Sequence, residues 1–176
     1  ENYVQELLEK QQQLPADIRW HFIGHLQSNK VKHIASFIYL IQGVDSEKLL
    51  AEINKQALKH NRKINCLLQV HIAEEETKFG FSPAEAKVLL HKIIDNPSLY
   101  SNISICGLMG MASLTDDTAK IRSEFRALAS MFHQFKKIFP SFNTLSMGMT
   151  ADYEMAIEEG SNMVRIGSLL FGQRKS

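Results

Sequence analysis

The hydrophobic period along this chain switches back and forth between two residues and nearly four. Short apolar runs rich in β-branched or aromatic side chains occupy residues 18–23, 37–44, 64–72, 103–111, 144–149 and 163–171, and each predicts a strand. Helical patterns lie between most of them. Within 46–61 the apolar residues Leu49, Leu50, Ile53, Ala57 and Leu58 fall on one helical face. Ser82 followed by Pro83 reads as a helix start, Leu89, Leu90, Ile93 and Ile94 supply that helix's buried stripe, and Pro97 stops it. Residues 116–139 carry Ile121, Phe125, Leu128, Phe132, Phe135 and Phe139 at helical spacing and end before Pro140. A last short helix is predicted over 151–159, with Thr150 as N-cap, Asp152 in the first turn and Gly160 as stop, and an opening helix over 2–12.

Strands alternating with helices predict a parallel sheet, because parallel neighbours need a crossover between them. Runs that are apolar without alternation, such as 66–70, fit strands covered on both faces. A dinucleotide-binding open sheet would place a glycine-rich turn after the first strand; the turn here, GHLQSNK, has one glycine. Glycines mark instead the ends of the last two strands, SMGMT (146–150) and RIGSLLFG (165–172), where barrels of the (β/α)8 type often hold phosphate groups. The fold class expected is therefore α/β, a (β/α)8 TIM barrel forming one domain over residues 1–176. A whole barrel takes about 250 residues, so the six strands here leave about the first two missing, and the opening helix reads as the tail of the second unit.

Composition adds little beyond exclusions. With 44% hydrophobic and 22% charged residues in 176, the chain suits one soluble globular domain, and a net charge of +1 calls for neither nucleic acid nor an anionic membrane. No apolar run approaches a membrane span, and the opening ENYVQELLEK reads as neither signal nor transit peptide, so cytoplasm is the expected location. Cys66 and Cys106 sit in strand-like runs without metal-ligand spacing and are expected to be buried free thiols.

Candidate chemistry gathers at predicted strand ends. Gly148 would let backbone approach a ligand, and Thr150 opens a helix whose free N–H groups favour an anion; taken alone, the segment reads first as a plain strand-to-helix turn with an N-cap threonine. Arg165 alternates with its apolar neighbours, so it faces the other side of the sheet from them, and there it needs a partner: a ligand or an ordinary carboxylate. Gly167 and Ser168 follow as further donors. His21 lies in a strand, with His25, Gln27, Ser28, Asn29 and Lys30 beyond its C-terminal end; His71, Glu74, Glu75, Glu76 and Lys78 mark another. No nucleophile elbow, HExxH or P-loop occurs.

Four segments together, ENYVQE (1–6), WHFIGHLQSNK (20–30), GLMGM (107–111) and LSMGMTADYEMAIEEGSNMVRIGSLLFG (145–172), resemble the pyridoxal phosphate homeostasis proteins, the YggS/PROSC type. The resemblance implies the fold type III barrel similar to the N-terminal domain of alanine racemase, a monomer, and a non-catalytic protein that binds pyridoxal 5′-phosphate (PLP) and stores, delivers or buffers it inside the cell. Apo-enzymes that use PLP are the protein partners it implies. Carried over, the phosphate would lie against Ser146, Gly148, Met149 and Thr150 on one side and Gly167 and Ser168 on the other, with Arg165 facing the pyridine nitrogen and Asn2 and His21 lining the cofactor. An arginine offers only donors, so that nitrogen would stay unprotonated and the ring would be a weaker electron sink. The family's covalent lysine belongs to a strand upstream of ENYVQE. No lysine here matches it, although Lys30 and Lys78 are expected near the same face, so the chain is expected to hold PLP only reversibly or through a substitute lysine, and, with open sheet edges, to be unstable or self-associating unless another segment covers them. The alternatives from other classes are an amino-acid racemase or decarboxylase of the same fold, and a barrel remnant serving as a phosphate-binding module.

Overall fold

The computed structural model describes residues 1–74 and 79–172. Every predicted run contains a strand, shorter than the run itself in all but β5: β1 (His21–Phe22), β2 (Leu40–Val44), β3 (Ile64–Gln69), β4 (Ile103–Met109), β5 (Thr144–Met149) and β6 (Met163–Arg165). They form one sheet in chain order, with each neighbouring pair parallel. Helices connect them: α1 (Val4–Gln13), α2 (Val31–Ile34) after a 3-10 turn at Ser28–Lys30, α3 (Glu47–Lys59), α4 (Pro83–Asp95), α5 (Thr118–Lys136), α6 (Tyr153–Glu158) and α7 (Ser168–Phe171).

Local chemistry fixes most of the boundaries. Ser46 caps α3 by accepting from the Leu49 N–H, and Asp117 caps α5 by accepting from Lys120. Ser82 and Glu85 exchange bonds in a capping box while Pro83 opens α4. Two expectations are corrected. Thr150 does not cap α6: the helix starts at Tyr153 behind Asp152, whose carboxylate turns back to accept from the Met149 N–H at 2.6 Å. The run 163–171 is not one strand, because it leaves the sheet after Arg165. The N–H groups of Leu170 and Phe171 close instead onto the Gly167 carbonyl, leaving Leu169, Leu170 and Phe171 exposed on a single helical turn.

The sheet curls. β2 and β5 are three strands apart in the order, roughly 14 Å in a flat sheet. Yet Ser146 on β5 donates to Oε1 of Gln42 on β2 at 2.6 Å, and Gln42 Nε2 reaches the Met163 sulfur on β6 at 3.2 Å. Curling separates two apolar clusters. The large one packs the outer face, with Ile41, Leu68, Leu108, Leu145 and Met147, against the helices, with Ile53, Leu90, Phe125 and Phe132. The small one, Leu40, Leu67 and Met109 with Cys106, Met111 and Met163 against them, fills the concave side. This is a parallel half-barrel of repeating β/α units. Cys66 is buried in the outer cluster, where burial pushes its thiol pKa up, whereas Cys106 on the concave side is only half-buried; both are free. No helix among the described residues is long and apolar enough to cross a membrane.

Tight backbone approach holds the curl. The register between β3 and β4 slips between Cys66–Ile105 and Leu67–Gly107, and at that bulge Gly107 takes φ +151° with its Cα against β5. A Cβ there would sit 1.7 Å from the Thr144 carbonyl oxygen. Gly160 also has positive φ, +102°, but open space around it. Gly107→Ala should therefore cost at least about 3 kcal/mol, and Gly160→Ala about 1 kcal/mol. Urea unfolding of both variants checks this; equal losses would show that backbone strain, not the contact with β5, sets the requirement.

Candidate functional site

Because all six strands run the same way, the residues at their C-terminal ends gather on one rim of the concave side. Along a strand, alternate residues face inward. Leu40, Leu67, Met109 and Met163 make an apolar floor, and two residues further along β2, β3 and β6 stand Gln42, Gln69 and Arg165. A cleft of about 890 Å³ opens above them.

Arg165 dominates the electrostatics. Its guanidinium is largely buried and donates to Ser146 Oγ at 2.8 Å and to the Gly110 carbonyl at 3.0 Å. Burial pushes its pKa down to about 10, with Asp152 acting the other way, so it keeps its charge at neutral pH. Among the described residues no carboxylate pairs with it: Asp152 spends one oxygen on the Met149 N–H, and Arg165's two bonds go to neutral acceptors. The ordinary carboxylate partner left open by the sequence is thus absent among the described residues. A guanidinium has five N–H donors, more than the two bonds to Ser146 and Gly110 use, and Arg165 lines the cleft.

The opposite wall comes from β1. His21 stacks on Tyr39 with ring centroids 5.7 Å apart, and its Nδ1 lies 3.2 Å from Gln42 Nε2. Burial holds its pKa below the usual imidazole value, so it is neutral at pH 7. At the mouth His25 bonds Asp45 at 2.8 Å and stacks on Phe79 at 3.9 Å.

Of the residues marked by the sequence, Asn2, His21, Met149, Thr150, Arg165, Gly167 and Ser168 line this one cleft. Ser146 and Gly148 do not. Ser146 is fully buried beneath it and holds Arg165. Gly148 has φ +93°, and a Cβ there would meet Ala156 Cβ at 2.6 Å, so its glycine serves the approach of α6. The Met149 N–H is already bonded to Asp152. Gln27 and Lys30 line a separate groove beside α1, while Glu74 pairs with Lys120 at 2.6 Å. Glu75, Glu76 and Lys78 lie outside the described residues. Among the described residues, none that lines the cleft is a lysine. Gln42 and Gln69, both buried, escaped sequence reading. Their signal was there: an amide inside a fully apolar run, as in LIQGV, must have a polar partner where it points.

Comparison with known proteins agrees with this architecture. The family model described as alanine racemase, N-terminal domain, matches residues 1–175. A pyridoxal phosphate homeostasis protein of Aquifex aeolicus is 40% identical over 99% of this chain and 76% of its own length, and one of Haemophilus influenzae is 40% identical over 99% and 74%. The solved structure of PipY from Synechococcus elongatus with PLP bound is 30% identical, with a TM-score of 0.83 over 97% of this chain and 79% of that one. An alanine racemase of Clostridium difficile shares the fold alone, at 16% identity and a TM-score of 0.75, over 99% of this chain and 43% of that one. Sequence, half-barrel and cleft converge: this chain belongs to the pyridoxal phosphate homeostasis protein family, built on the alanine racemase N-terminal domain fold.

Proposed function

We propose that this chain binds pyridoxal 5′-phosphate in the cleft between β1 and β6 and serves its storage and delivery in the cytoplasm, as a monomer, to apo-enzymes, without converting a substrate. The observation that carries the reading is Arg165: a charged guanidinium, largely buried, with neutral acceptors on one side and donors left over beside the cleft. Burying a cation without a counter-charge costs several kcal/mol, which an acceptor on a ligand would offset. Pyridoxal phosphate fits such a place. Its flat ring would lie over Met111 and Met163, its pyridine nitrogen would take a donor from Arg165, and its phosphate would sit by Thr150, Gly167 and Ser168. Its aldehyde takes up amines and its ring withdraws electrons, the latter less strongly where arginine leaves the nitrogen unprotonated. That muting favours holding the cofactor over turning it over. Relatives at 40% identity carry the name homeostasis protein, and the PipY structure contains PLP.

Arg165→Leu separates this from a purely structural arginine. Loss of charged hydrogen bonds should weaken binding of pyridoxal phosphate roughly 30-fold, read by absorbance titration. Stability in urea should hold or rise, because the desolvation cost disappears with the charge. Undiminished binding, or a loss of several kcal/mol of stability, contradicts the reading, and so does steady turnover of amino acids by the loaded protein.

A further inference from the structure

We infer that Gln42 is a positioning residue: taking its orientation from Arg165 through Ser146, it holds His21 as a hydrogen-bond donor toward the cleft. This rests on the reading that a ligand lies beside Arg165. The argument is one of direction along a chain of four side chains from β6, β5, β2 and β1.

Arginine can only donate, so Ser146 Oγ accepts from Arg165 at 2.8 Å. A hydroxyl owns one hydrogen. Ser146 is fully buried, and its other bonded neighbour is Gln42 Oε1 at 2.6 Å, so the hydrogen goes there. With its carbonyl engaged, the Gln42 amide must turn its NH2 the other way, toward His21 Nδ1 and the Met163 sulfur, each at 3.2 Å. A flipped amide would set N–H groups against the hydroxyl and a carbonyl against the sulfur, and would strand the serine hydrogen in a dry interior. His21 Nδ1 therefore accepts, and the ring proton sits on Nε2, which has no protein partner among the described residues. An imidazolium would press an N–H against the amide N–H, in agreement with the lowered His21 pKa that burial already causes.

The cleft thus offers donors from both ends of the curled sheet, Arg165 from β6 and His21 from β1. It suits a planar ligand with acceptors on two edges, and the histidine must meet an oxygen or ring nitrogen rather than an N–H. Gln42 touches no ligand in this scheme. It matters because an inward amide on β2 fits across the curl to both β1 and β5.

The test is the tautomer of His21 in the ligand-free protein, read from the nitrogen-15 shifts and proton couplings of the ring. Wild type should carry its proton on Nε2. Gln42→Glu keeps an acceptor for Ser146 but has no donor for Nδ1, so His21 should move its proton to Nδ1 or take up a second, and pyridoxal phosphate should bind roughly tenfold more weakly. Ser146→Ala unlocks the amide and should give mixed tautomers. A wild-type proton on Nδ1 overturns the inference without recourse to any variant, as does an unchanged His21 in Gln42→Glu. If wild type shows the expected tautomer yet does not bind pyridoxal phosphate, the relay stands and the ligand reading falls.

Discussion

Arg165 sits where its charge is most expensive, on the inner face of a curled sheet, above an apolar floor and, among the described residues, without a carboxylate in contact. Much of the concave side is arranged around that fact. Ser146 and the Gly110 carbonyl hold two donors of the guanidinium, Gln42 completes the serine, and His21 completes the glutamine, so the polar groups beneath the cleft satisfy one another in series. A buried network that is satisfied only in part costs more than an apolar one. This one stays open at Arg165, which has more donors than the two bonds use and lines the cleft.

Topology makes such a network possible. Parallel strands in chain order bring six C-terminal ends to one rim, and curling brings β2 against β5 and β6, which a flat sheet would keep far apart. Glycine sets how closely the rim can close at the β1 side. A Cβ on Gly24 would lie 2.2 Å from the Asn2 carbonyl oxygen, and one on Gly43 would lie 2.5 Å from that of Gly24. Residues 1–2 run beside the end of β1, where Ile23 N–H donates to the Glu1 carbonyl. Backbone therefore packs on backbone at this end, and Asn2, His21 and Gln42 come within reach of one cleft.

Elements governed by local chemistry were legible in the sequence. The helix start at Ser82, the phenylalanine stripe of α5 and the six strand positions all follow from side-chain period and hydrogen bonding within a few residues. What long-range contact decides was not. Gly148 reads like a ligand contact because glycine at a strand end admits either a ligand or a helix, and only the position of Ala156 distinguishes them. Thr150 reads like a cap, but Asp152 caps the turn from the other side by taking the Met149 N–H. The apolar run after Arg165 has strand composition, yet among the described residues it closes into the helical turn of α7. Gln42 needed the curl itself, since nothing local says that β2 faces β5. Arg165 was legible as inward because alternation on β6 is local; its neutral acceptors, Ser146 and the Gly110 carbonyl, were not.

The most direct measurement is a crystal structure of the protein grown with pyridoxal phosphate. The account predicts the ring in the cleft between β1 and β6, its nitrogen within hydrogen-bond distance of Arg165 and an acceptor facing His21 Nε2. A ligand seated elsewhere, as in the groove lined by Gln27, Lys30 and His33, with Arg165 making no contact to it, would contradict the account.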